Sequence, residues 1–257
     1  MRTRRAMNCR QDEVNVTTMR CPTAVASPWT VCFRVFAGYR KWHGALALLT
    51  GLGALLLGSP HAQAQGLQKL WEIPADGSRD YVNGFPSERG LVFNPTTGHL
   101  LLSSRALGPT VAVLASTNGA ELGFLDVTGV SGGSVAIGPL GAGEDGRLYG
   151  ANISGSDILA PSLRVYRWNN ETSAPVVLFS GNPVAGLNAR WGDSLAVRGA
   201  GTNTQLLVGG GGSSVLLLRY ANGAQTSLLA QRIEWPQAGA GSFSQGIAFG
   251  IGNQLLA

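Results

Sequence analysis

Three short polar turns recur at one fixed interval along this chain: Asn118 in STNGAE, Asn170 in WNNETS and Asn222 in YANGAQ are separated by 52 residues at each step. Each sits between two apolar, strand-like runs: VAVLAS and ELGFLDV, LRVYRW and APVVLFS, VLLLRYA and TSLLAQRI. An Asn-Gly step between such runs is a strong hairpin signal, because both central residues of a type I′ turn need positive φ. The middle copy, Asn170-Glu171, carries the weakest signal of the three. A fixed period of this size means one supersecondary unit used repeatedly, each copy burying its apolar faces against its neighbours.

A second strand pair precedes each hairpin. Its first members read GLVF, SVAI, SLAV and GIAF, with apolar anchors at Phe93, Ile137, Val197 and Phe249. Its second members follow turns rich in Gly, Asn or Asp and read GHLLLSS, GRLYGAN, TQLLVGG and NQLLA. Four strands in a unit of about 52 residues is the signature of β-propeller blades. A β-sandwich predicts no such recurrence, a β-helix needs shorter coils, and the 37 glycines interrupt every run that could form a long helix. The expected fold is therefore all-β, a β-propeller with four-stranded blades. Glu88 to Ala257 supplies about three and a quarter units, whereas closed rings have about four to eight blades. The expectation is an incomplete, truncated propeller from a longer gene product. The stretch LQKLWEIPA reads as an outer strand that a final blade would recruit to close the ring.

Charge separates the chain into parts. Residues 1–64 hold eight of the 19 basic side chains and only Asp12 and Glu13 among the acids, so from residue 65 onward eleven basic residues meet twelve acidic ones. The basic pI belongs to the N-terminal segment, and the nucleic-acid reading loses its support. That segment reads as an address: Arg40 and Lys41 precede the apolar run Gly44 to Gly58, and Ala62-Gln63-Ala64 offers a small-x-small cleavage site. The run is shorter than the roughly 17 to 25 residues that span a bilayer, so membrane contact is expected only through this segment if it stays uncleaved. Initiation near Val35 would give a signal peptide of ordinary length. The resulting division is 1–34 as a misassigned or disordered extension, 35–64 as signal peptide and 65–257 as the partial propeller. Cys9, Cys21 and Cys32 all lie upstream of Val35, so the exported part uses neither disulfides nor thiolate chemistry. Its location is expected to be periplasmic, cell-surface or extracellular.

FNPTTGHLLLSS resembles the opening of a blade in the YVTN and NHL-type bacterial propellers, and EDGRLYGAN is similar to their Asp-Gly-x-Leu-Tyr turns. NARWGDSLAVRGAGTNTQLLVG further resembles a family of exported bacterial proteins of unknown function. The likeness covers about residues 66 to 257. It implies fold and export, and no activity.

The chemical motifs do not hold up against their contexts. GVSGG, with Ser131 at the nucleophile position, matches Gly-x-Ser-x-Gly, but that motif needs a strand-to-helix turn and a histidine further along, and here the single histidine after residue 64, His99, comes first. GAGEDG matches Gly-x-Gly-x-x-Gly by letters, yet RLYGANI after it reads as a strand and offers no helix N-terminus to a pyrophosphate. No cofactor is expected. Isolated acids such as Asp145 or Asp157 could join a calcium site, although turn capping is their commoner role.

What remains is the end of the channel where propellers place function, formed by the loops that lead into each inner strand and those that join second to third strands. The lead-in loops carry Glu88 and Arg89, then Arg190, Trp191 and Asp193, then Ser242 and Gln245; the second set carries Arg105 and Asp157. Arg89, Arg190, Trp191 and Asp193 are the candidate ligand-binding residues, Arg and Trp being favoured anchors at interfaces. The structural alternative places Trp191 between blades and pairs Arg190 with Asp193 across them. The functional expectation is a non-catalytic binding or scaffold module for a carbohydrate, peptide or protein. The alternative is an exported calcium-dependent hydrolase of the lactonase type.

Overall fold

The computed structural model describes residues 68–155, 162–187, 189–234, 243, 246–252 and 254–256, all within the unit that spans 66–257. The signal segment and its cleavage site, together with Asp157, Ser242 and Gln245, lie outside the described residues.

The described residues form three four-stranded antiparallel sheets and one strand pair, with strands in chain order within each sheet. The first blade holds β1 (Glu88–Phe93), β2 (His99–Ser104), β3 (Thr110–Ala115) and β4 (Glu121–Phe124); the second holds β5 (Leu140–Ala142), β6 (Leu148–Ala151), β7 (Leu163–Trp168) and β8 (Val176–Gly181). The third holds β9 (Trp191–Arg198), β10 (Gln205–Gly210), β11 (Ser214–Tyr220) and β12 (Leu228–Glu234), and β13 (Ala248–Phe249) with β14 (Leu255–Leu256) repeats the inner pair. The inner strands β1, β5, β9 and β13 touch in succession. This is a β-propeller arrangement.

Period-2 alternation explains why the sheets stack. On β6, Leu148 faces the first blade while Tyr149 and Ala151 face the third; on β7, Tyr166 and Trp168 face the first while Leu163 and Val165 face the third. Every blade face thus becomes half of an interblade core. Leu101, Val111, Val113, Ile137, Leu148 and Trp168 build the core between the first two blades, and Tyr149, Leu163, Trp191, Leu206, Leu216 and Leu218 build the next. Each fully buried leucine contributes about 1.5–3 kcal/mol of transfer free energy, so these two interfaces dominate the stability of the unit.

The stack is close-fitting at the channel. A Cβ on Gly90 would lie 2.8 Å from the Leu140 nitrogen and 3.0 Å from the Gly138 oxygen, so the approach of β1 to β5 requires glycine there.

Hairpins stand where the 52-residue interval puts them, but none is a type I′ turn. In the first, Gly119 has φ +67° while Asn118 stays at negative φ. The Gly119 N–H donates to the Ala115 oxygen at 2.8 Å, and Asn118 Oδ1 accepts from the Ala120 N–H at 3.0 Å. In the second, Asn170 Oδ1 accepts from the Thr172 N–H at 3.0 Å. In the third, positive φ falls on Gln225, the single non-glycine case among the described residues. The asparagines of the first two work by accepting backbone hydrogen bonds two residues on, which closes a longer loop and removes the need for two successive positive-φ residues.

Two further expectations are corrected. SVAI, residues 134–137, is not the inner strand of the second blade; it makes one isolated bridge, Val135 to Ile153, and the strand begins at Leu140. Pro139 has no N–H to give a ladder, so regular pairing starts after it, although Ile137 remains fully buried. LQKLWEIPA is likewise no strand over its described residues. Its Ile73, together with Tyr81 and Val82 further on, packs on Ala112, Leu114, Leu100 and Leu102, and Trp71 Nε1 donates to the Ser116 oxygen at 2.8 Å. The segment covers the outer face of the first blade. Pro74 and the Gly77 turn (φ +82°) break it before it could run as a strand.

Candidate functional site

Strand direction divides the propeller into two ends. The inner strands begin, and the second strands finish, at the channel mouth; the β1–β2 type turns and the hairpins lie at the opposite end. The latter is bound up in interblade brackets. Glu171, in the second hairpin, accepts hydrogen bonds from Asn94 Nδ2 at 2.7 Å and Thr97 Oγ1 at 2.6 Å, and its Oε2 lies 2.7 Å from His99 Nδ1. Gln225, in the third hairpin, receives Arg167 Nη1 on its backbone oxygen at 2.7 Å and Arg147 on its side-chain oxygen. Asp145 Oδ2 accepts from the Gly201 N–H at 2.9 Å, so this acid joins neighbouring turns. His99 is thus engaged far from Ser131, whose Oγ takes a hydrogen bond from Arg164 Nη1 at 2.6 Å and whose oxygen takes one from the Tyr166 hydroxyl at 2.8 Å.

The mouth is built differently. The pairing of β1 with β2 shifts register between Glu88 and Gly90, leaving Arg89 as the extra residue of a β-bulge. The pairing of β9 with β10 shifts between Gly209 and Gly210, so Gly192 and Asp193 are the unpaired residues opposite. A bulge re-aims the side chain it carries, and here two bulges sit at the same end of inner strands on either side of the second blade. Between them the second blade leads in through Gly138-Pro139, which carries no charge. Gly192 has φ +90°, and a Cβ there would meet the Asn152 oxygen at 1.8 Å; glycine is obligatory for the backbone that turns Asp193.

Arg89, Arg105, Arg190, Asp193 and Glu88 form one electrostatic cluster. Burial pushes the Arg89 guanidinium down from its ordinary value, the positive charges of Arg105 and Arg190 add to this, and Asp193 and Glu88 partly offset it. Arg105 follows β2 directly, its N–H donating to the Ser87 oxygen at 3.0 Å, which sets it beside the β1 bulge. Arg190 is about half exposed and pairs with Asp193, whose side chain is 8% exposed. Glu88 Oε1 accepts from the Asn83 N–H at 3.2 Å. Arg89 Nε is buried with no hydrogen-bond partner among the described residues.

Three of the four sequence candidates, Arg89, Arg190 and Asp193, therefore converge. Trp191 does not join them. It is 1% exposed, in the core between the second and third blades, and its N–H donates to Ser154 Oγ at 2.8 Å. The Arg190–Asp193 pair closes locally across the start of β9 and does not bridge blades. Sequence reasoning named Arg105 and Glu88 only as members of loops; the bulges that gather them leave no residue-type signal.

No protein-family model and no curated protein matches the chain. Among solved structures, a DUF4623 family protein from Bacteroides eggerthii is similar with TM-score 0.51 and 20% identity over 66% of this chain and 40% of that one. An oxidoreductase (glucose dehydrogenase) structure from Thermus thermophilus is matched with TM-score 0.34 and 16% identity, covering 55% of this chain and 46% of that one. The chain thus spans less than half the length of either. The first likeness is one of fold.

Proposed function

We propose that this chain is a non-catalytic β-propeller binding module, exported through its N-terminal signal and presenting its channel mouth to an extracellular or cell-surface ligand. The observation that carries the reading is the convergence of Arg89, Arg105, Arg190 and Asp193 on bulged strand ends at one end of the channel. At the other end Glu171, Arg147, Arg167 and Asp145 are spent on brackets between blades, whereas these sit at the mouth with donor capacity left over. Ser131 and His99, the residues a hydrolase would need together, are occupied at opposite ends by Arg164 and Glu171. Export is supported by Arg40 and Lys41, the apolar run and Ala62-Gln63-Ala64.

A panel of oligosaccharides and peptides titrated against the full chain tests the reading. Binding of a panel member should be lost on Arg190→Ala and kept on Lys69→Ala, a substitution of an exposed lysine in the segment outside the first blade. Binding that ignores Arg190 places function elsewhere and overturns the reading.

A further inference from the structure

We propose that the channel mouth is an oxyanion site, in which Arg89 and Arg190, with Arg105 beside them, receive a carboxylate, sulfate or phosphate group of the ligand. This rests on the binding-face reading above and adds the chemistry the face would recognise.

The first support is an unmet donor. Arg89 Nε is buried and has no acceptor among the described residues. Leaving a buried donor unpaired costs about 1–3 kcal/mol, more for a charged group, and such groups call for an explanation in a folded protein. The Nη groups of the same guanidinium are neither buried nor hydrogen-bonded among the described residues, and they are the edge that a ligand oxygen at the mouth can reach. The second support is placement: Arg89 is the extra residue of the β1 bulge, the feature that turns a side chain out of the ladder.

The third support is the sign of the local charge. Among the described residues, Arg89, Arg105 and Arg190 face two carboxylates, and both are committed. Asp193 is nearly buried against Arg190, and Glu88 accepts from the Asn83 N–H. The Arg105 guanidinium reaches the Pro86 oxygen at the long distance of 3.5 Å. The guanidinium fork has five donors and matches an oxyanion in bidentate geometry, so Arg190 can hold Asp193 with one edge and a ligand with the other. Like charges gathered on one rim repel, and an anion relieves that repulsion.

The test is a titration of the full chain with sodium phosphate, glucuronate and glucose at constant ionic strength, followed through the arginine Nε–H NMR signals. A saturable shift of the Arg89 signal with both oxyanions, and none with glucose, is expected. Arg89→Gln should weaken binding at least tenfold and Arg89→Lys less. Asp193→Asn should tighten it several-fold by removing the competing carboxylate, a direction that a merely structural role for these residues would not produce. Should Arg89→Gln fail to fold, Arg190→Gln, at a half-exposed position, gives the same reading. Phosphate binding without glucuronate binding supports a phosphate or sulfate ligand within the proposal, and the reverse supports a sugar acid. Saturable binding of glucose at Arg190 with no response to either anion overturns the oxyanion proposal and leaves the binding face standing. Ligands that bind without any effect of Arg190→Gln overturn both.

Discussion

Across the junction of the first two blades, Nδ1 of His99 stands 2.7 Å from Oε2 of Glu171. The carboxylate can only accept, so Nδ1 carries the proton and donates, and with Asn94 and Thr97 the pair ties the β1–β2 turn to the second hairpin. Asn170-Glu171 departs from the Asn-Gly of its two counterparts at the position whose side chain reaches the neighbouring blade.

That geometry fixes a pH dependence. Burial opposes ionisation of Glu171, but hydrogen bonds from Thr97, His99 and Asn94 outweigh it and hold the carboxyl below its ordinary value of 4.5. A depressed folded value means the stabilisation is present above the unfolded value and is lost as pH falls through the folded one. Glu171→Gln should cost about 1–2 kcal/mol at pH 7, and the gap in melting temperature between variant and parent should close below pH 4.5. A gap of the same size at pH 3 and pH 7 would show that the charge is irrelevant.

Trp191 is expected to behave as core. With 1% exposure and neighbours from both the second and third blades, Trp191→Ala should cost about 3–5 kcal/mol. Its Nε1 has no partner among the described residues, so Trp191→Phe discards no hydrogen bond and should cost well under half as much. Urea denaturation of both variants checks this; equal losses would mean the indole nitrogen matters more than the ring.

Much of this was legible because repeats write their period into the sequence. The interval of 52 residues located all three hairpins, and GLVF, SLAV and GIAF fall on β1, β9 and β13. SVAI misled because its hydrophobic pattern is right while Pro139 delays the ladder. Turn type was misread because Asn-Gly is compatible with several loops, and only backbone dihedrals separate them. The bulges at Arg89 and Asp193 were invisible for a deeper reason: they are register slips between strands, and register belongs to a pair of strands while sequence patterns describe one.

Export predicts a defined new N-terminus. With the basic pair, the apolar run and Ala62-Gln63-Ala64 in order, N-terminal sequencing of exported protein should begin at Gln65 or within a few residues of it. Intact Met1 in the exported fraction would defeat cleavage.

The last prediction separates two kinds of glycine. Gly98 and Gly192 both have positive φ, +74° and +90°, yet a Cβ on Gly98 meets nothing within 4 Å while one on Gly192 would lie 1.8 Å from the Asn152 oxygen. Gly98→Ala therefore carries only the conformational cost of the left-handed region, about 1–2 kcal/mol. Gly192→Ala adds a collision with backbone that cannot move without breaking the link from the Ser154 N–H to the Trp191 oxygen, 2.8 Å long, and should cost upwards of about 3 kcal/mol. Because Gly192 also shapes the bulge that turns Asp193 toward Arg190, any folded fraction of the variant should bind anions with altered affinity, whereas Gly98→Ala, at the opposite end, should bind as the parent does. Equal destabilisation of the two variants in urea would show that the close approach at the mouth yields freely, and would remove the structural reason for glycine there.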